Sequence, residues 1–364
     1  MAAATGVYRT TYQADMTLRR TKAEYVRLAL IVIALAGAPF YLSNSWLFVL
    51  NVAGISVIAA VGLNIVTGYT GLISLATGGF LAIGGYTTAI VTTRAGLPTP
   101  LAWVAATVLA AAVGAVFGLP AGRLKGIYLA ITTLAAQYII VYLVRSWKAV
   151  TGGLDSLLVT PPKVGGTLIT QIPEKWFGLE GKSEHFAWYW VILFFATLAV
   201  LGTVNLFRTG LGRALIAIRD QDIAAEVIGV RVARYKVLAF AISAGMAGFA
   251  GALQASYRSI VTFERYTIDV SIVYVTMIII GGLGSVSGSV YGALFITWLP
   301  EYIRHVGSGI RSGSAFGFIT EQVVPIQNAA FALVLILFLL VEPRGMARLW
   351  QRAKDYFRLW PFRY

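Results

Sequence analysis

Apolar residues run along this chain in long blocks separated by short polar or glycine-rich connections. Ten such stretches stand out, at 28–42, 46–66, 70–92, 100–122, 127–144, 187–206, 237–257, 270–280, 290–303 and 326–341. About 20 apolar residues in a helix cover a hydrocarbon core of ~30 Å, so the longer stretches each predict one crossing. The first has flanking Tyr25, Arg27 and Tyr41 to reach the interface. The eighth and ninth are short and are divided only by the glycine-rich segment 281–288. Pattern alone therefore predicts an all-α polytopic membrane protein of about ten transmembrane helices with Gly-rich interruptions.

Composition agrees. Of 364 residues, 58% are hydrophobic and 12% charged, with a mean hydropathy of +0.77. Soluble domains average about 25% charged residues. With no cysteine, there is no disulfide framework, thiolate metal site or cysteine nucleophile.

The net charge of +14 fits either a nucleic-acid footprint or basic loops beside an anionic leaflet. Its placement decides. Of the 29 Lys and Arg residues, 19 fall in the segments 1–27, 123–125, 207–236 and 343–364, and 10 in the alternate connections. That asymmetry predicts both termini in the cytoplasm and argues against nucleic-acid binding, because no continuous basic patch forms. Residues 1–27 then form a basic cytoplasmic segment, 28–342 the transmembrane domain, 145–186 its outer loop, 207–236 a cytoplasmic loop and 343–364 a basic cytoplasmic tail. The long basic lead before residue 28 and the second apolar run at Trp46 favour an uncleaved first span over a signal peptide.

Charged residues and both histidines lie outside the span interiors, which disfavours proton coupling. No nucleotide signature is complete: the segment 181–183 (GKS) lacks the first Walker glycine, with Trp176 in its place, and 282–288 has one residue too many for a dinucleotide turn. The chain reads as a non-enzyme with no cofactor or metal of its own. Small-residue faces such as Gly245, Gly248 and Gly251, Gly114 and Gly118, and Gly288 and Gly292 suit close helix packing in lipid.

The loop 207–236 is long for a bundle connection. Ala214, Leu215 and Ile218, then Ala224, Val227 and Ile228, recur at helical spacing, and Gly229 stands where such a helix would stop. Two readings fit this pattern: a helix lying on lipid, or a docking element for a cytoplasmic partner.

Here the residues resemble a known family. The string at 212–230 (GRALIAIRDQDIAAEVIGV) resembles the coupling loop of ABC importer permeases in its branched-chain amino-acid version. Residues 62–75 (GLNIVTGYTGLISL), 123–134 (RLKGIYLAITTL), 281–288 (GGLGSVSG) and 342–345 (EPRG) resemble further motifs of that family, in order. The LivM-type subunit fits better than the LivH type, through 123–134 and the loop 151–155. The sequence departs from the family pattern at Ala76, Thr77 and Ser289.

The resemblance implies one of two unlike permease subunits of an ATP-driven importer in the bacterial inner membrane. Its partners would be a LivH-like permease, two LivG/LivF-like ATPase subunits that hold ATP and Mg, a periplasmic or lipid-anchored binding protein, and membrane lipid. Its cargo would be Leu, Ile or Val, with urea, short amides or aromatic acids as the alternative within the family. Arg213, Arg219, Asp222, Ala225, Glu226, Gly229 and Arg231 are the expected contacts to the ATPase. For the substrate pathway, glycine-interrupted segments with small hydroxyls point to Asn64, Thr67, Tyr69, Ser74, Thr77, Ser285 and Ser287. An alternative of another class is an ATP-independent channel or facilitator.

Overall fold

The computed structural model describes residues 35–122, 124, 126–164, 167–169, 185–309 and 345–359, with isolated positions between 329 and 340. The segments 1–27 and 181–183, with Arg123, Lys125 and most of the tenth predicted stretch, lie outside the described residues.

Helices account for nearly all the ordered elements. The longer ones, with the short α7, are α1 (Asn44–Asn64), α2 (Thr77–Thr93), α3 (Thr99–Gly118), α4 (Ile127–Ser146), α5 (His185–Leu206), α6 (Gly210–Asp220), α7 (Asp222–Val227), α8 (Val232–Arg258), α9 (Ile268–Gly281), α10 (Val286–Gly309) and α11 (Met346–Leu359). Five segments among the described residues are long and apolar enough to cross a membrane: Asn44–Tyr69, Thr99–Gly122, Ile127–Ser146, His185–Leu206 and Val232–Arg258. The chain is thus an α-helical, multi-pass membrane protein.

α8 is the central post and packs on α1, α2 and α3. Small residues make this possible. A Cβ on Gly84 of α2 would overlap the Gly248 carbonyl, and one on Gly114 of α3 would overlap Ala244. Lipid gives helices no hydrophobic drive to associate, so such close backbone approach supplies the van der Waals contact that holds them. Trp103 adds a buried polar tie, its Nε1–H donating to Ser256 Oγ at 2.9 Å.

The third predicted stretch is not one continuous helix. α1 runs on through a single π-helical turn, Ile65–Tyr69. The chain is then non-helical over 71–76, and α2 begins only at Thr77. A helix starting inside the bundle leaves its first N–H groups without intrahelical acceptors. Here other spans supply them. Gly78 N–H donates to Ser271 Oγ at 2.8 Å, and Gly79 N–H donates to Gln137 Oε1. Gln137 Nε2 in turn donates to the Tyr266 carbonyl at 2.7 Å, and Leu75 N–H to Thr133 Oγ1 at 3.0 Å.

Two features mark the end opposite the 207–236 loop. The loop 145–186 is stapled to the body by its described part. Its β1 (Leu157–Leu158) pairs antiparallel with β4 (Ile260–Val261), while β2 (Lys163–Val164) pairs with β3 (Thr167–Leu168). Trp188, at the start of the sixth apolar stretch, is fully buried and edge-on to Tyr257. The span it begins packs its first turns against α1 and α8 through this buried face, while Trp190 stays 40% exposed.

Candidate coupling site

α6 lies on the body through Gly212, Ala214, Leu215 and Ile218. Leu215 is fully buried in a cluster with Ile65, Val66 and Leu72 of the interrupted α1–α2 segment and Phe240 of α8. Leu124, from the 123–134 motif, packs against the same cluster.

The sequence pattern predicts one helix with a single apolar face from Ala214 to Ile228. Instead the helix breaks at Gln221, whose backbone is extended (φ −160°, ψ 103°). That break rotates the second half. Ala225 becomes the buried residue, at 2% exposure, while Ile223, Val227 and Ile228 stand 68%, 82% and 75% exposed. α7 is therefore an apolar knob projecting from an anchored α6.

The knob is closed and tethered locally. Gly229 takes φ +90°, and Val230 N–H donates to the Ala225 carbonyl at 3.0 Å. A Cβ on Gly229 would meet nothing within 4 Å, so its backbone alone demands glycine. Asp222 Oδ2 lies 3.7 Å from Nζ of Lys236, which is buried near the start of α8. Asp222 thus ties α7 to the bundle. Arg213, Glu226 and Arg231 are exposed.

Arg219, with its side chain 38% exposed, reaches back to the turns. Its Nη1 donates to the Gly68 carbonyl at 3.4 Å and lies close to Gly284, while its Nε and Nη2 donate to Asp220. Beside it, Asn64 clamps two turns together: its Nδ2 donates to the Ser285 carbonyl at 3.0 Å, and its Oδ1 accepts from Gly284 N–H at 3.0 Å. Tyr69 OH accepts from Val286 N–H at 3.2 Å, and its ring stacks on Phe207 with centroids 3.6 Å apart. Ser285 and Ser287 share a hydrogen bond at 3.1 Å. Gly345 packs directly against Gly282.

Asn64, Tyr69, Ser285 and Ser287 therefore gather with Arg219 at the loop end of the bundle. Ser74 and Thr77 are buried elsewhere, on the non-helical segment and at the first residue of α2. Thr67 Oγ1 is buried with no partner among the described residues. The sequence reading missed Gln137, Ser271 and Thr133, which satisfy the backbone where α2 begins. An amide inside the apolar run 127–144 was the available signal for the first.

The multi-pass helical bundle with an interrupted span and an outward-pointing apolar knob is the architecture of an integral membrane protein, and its family gives it the class of a membrane permease component. The chain belongs to the branched-chain amino acid transport system / permease component family, whose pattern matches residues 45–341. It is thereby a transport subunit and not an enzyme. It is 33% identical over 288 residues to the high-affinity branched-chain amino acid transport system permease protein LivM of Escherichia coli (strain K12), covering 76% of this chain and 68% of that protein. The LivM of Salmonella typhimurium matches at the same identity and coverage. LivH of Salmonella typhimurium, the other permease type, is 27% identical over 174 residues, 46% of this chain and 51% of its own. No solved structure matches the chain.

Proposed function

We propose that this chain is the LivM-type subunit of an ATP-driven importer, carrying Leu, Ile and Val across the bacterial inner membrane. In this reading it pairs with a LivH-like permease and receives cargo from a periplasmic or lipid-anchored binding protein. Two partner ATPase subunits, which hold ATP and Mg, supply the energy. The ten-span count rests on the ten apolar stretches, and the cytoplasmic placement of 1–27 and 343–364 on the charge asymmetry.

The observation that carries the reading is the knob. Ile223, Val227 and Ile228 are exposed, as are Glu226 on the same short helix and Arg213 and Arg231 on either side of it in sequence, while Ala225 is buried against the bundle. Three adjacent exposed aliphatic side chains on a charged rim suit a protein groove better than water. Movement of the knob reaches the bundle through two routes: Asp222 to Lys236, and Arg219 to the turns at Gly68 and Gly284. Arg219, Asp222 and Ala225 thus act on this chain's own body, while Arg213, Glu226 and Arg231 face the partner.

The pathway is assigned to the interrupted segment. Non-helical backbone at membrane depth is stable only where it is buried in protein or lines a water-filled cavity. Ser74 and Thr77 belong to that segment, and Asn64, Thr67, Tyr69, Ser285 and Ser287 set its inner end.

Val227→Glu and Ile228→Glu test coupling. Both positions are solvent-exposed, so the chain reaches the membrane in normal amount while ATP-dependent leucine uptake falls at least about tenfold. Unchanged uptake in both variants would instead favour an ATP-independent facilitator.

A further inference from the structure

We propose that the outer groove between α1 and α10, together with the foot of α11, binds one anionic phospholipid. The groove is a cavity of about 450 Å³ lined by ten residues, none of them charged, among them Trp46, Leu50, Tyr291, Leu294, Trp298 and Met346. It opens on the outside of the bundle, where Leu294 and Trp298 are 38% and 40% exposed. An apolar void of this kind holds no water. It lies along the flanks of two apolar helices in a membrane-spanning chain, where acyl chains are the surrounding medium.

α11 supplies the other half of the ligand's chemistry. Met346 belongs both to the groove and to α11. Trp350 lies beside the groove residue Tyr291, with ring centroids 6.4 Å apart. Ala347 is buried against the bundle, yet Leu349 and Trp350 remain 40% and 63% exposed. The sequence continues that apolar stripe at helical spacing through Ala353, Tyr356 and Phe357, while the helix carries Arg348, Arg352, Lys354 and Arg358 against the single acid Asp355. A basic amphipathic helix with an exposed aromatic on its apolar stripe suits the plane of the headgroups. Juxtamembrane Lys and Arg favour anionic over zwitterionic lipid there. One acyl chain occupies the groove and the phosphate-bearing headgroup meets the basic residues of α11. The proposal requires only that the chain spans the membrane, so it stands or falls separately from the cargo and the ATPase.

The test is native mass spectrometry of the full chain, purified in mild detergent and offered equal amounts of phosphatidylglycerol and phosphatidylcholine. The wild type retains phosphatidylglycerol about tenfold over phosphatidylcholine. Leu294→Trp, which fills the groove from a partly exposed position, retains neither. The triple variant Arg348→Gln, Lys354→Gln, Arg358→Gln still retains lipid but without preference for either headgroup. Equal retention of the two lipids by the wild type would overturn the proposal. So would an undiminished preference in the triple variant, or wild-type retention in Leu294→Trp.

Discussion

At the scale of single residues, the loop end is organised by Asn64, Arg219 and Gly229. Asn64 donates to one backbone group and accepts from another across the turn at 284–285. Asn64→Ala strands both, and leaving these partly buried groups unpaired costs about 1 kcal/mol. Thermal unfolding of the purified chain in detergent should show that loss, and Asn64→Asp should restore only the bond from Gly284. Arg219 is a different case, because its contact at 3.4 Å is weak and a lysine ammonium keeps the charge without the planar fork. Arg219→Lys should leave thermal stability within about 0.5 kcal/mol, yet lower uptake per ATP hydrolysed. Equal falls in uptake and hydrolysis would assign Arg219 to docking instead. Gly229 was legible in the sequence as a helix stop, and its left-handed backbone agrees. The reach of Arg219 back to the turns was not, since nothing in a linear string says that 62–71 and 281–288 converge beside it.

Among the elements, helix faces decide more than helix lengths. The stripe of glycines in α8 reads from sequence as packing, and the structure sets it against α2 and α3. Gly84→Val should prevent that approach and abolish accumulation of folded chain, measured as monodisperse protein after extraction. Gly202→Val, in α5 where a Cβ meets nothing within 4 Å, is the matched control and should accumulate normally. The interrupted third stretch escaped the apolar pattern because hydropathy does not register backbone geometry. Residues 71–76 are as apolar as a helix would be, and only the polar partners Thr133, Gln137 and Ser271 mark where the helix begins. The break at Gln221 likewise hides inside a helical period, yet it determines which aliphatic side chains face outward. Asp222→Asn strands the buried Lys236 ammonium and should destabilise the chain by about 2 kcal/mol, given that Asp222 is partly solvated. Adding Lys236→Met should recover most of that loss in the same melting experiment.

For the molecule as a whole, five separated motifs meet at one end. Residues from 62–75, 123–134, 212–230 and 281–288, with Gly345, pack around a shared set of turns from which the knob projects. Family membership was legible from these strings because they resemble the family's motifs and stand in the same order along the chain, and the family pattern covers residues 45–341. Their convergence becomes plain only in three dimensions: α6 is fixed to the interrupted span, and in the proposed coupling that contact is the route by which a push on α7 would reach the pathway. Cargo rests on a different footing, since Ala76 and Thr77 depart from the family pattern where the pathway segment joins α2. The most direct test is uptake of labelled leucine by cells with and without this chain. Unlabelled valine, alanine, urea, acetamide and benzoate serve as competitors. The account predicts that deletion abolishes leucine uptake and that valine or alanine, but none of the other three, competes. Leucine uptake that survives deletion, while uptake of urea, an amide or benzoate is lost, would contradict it.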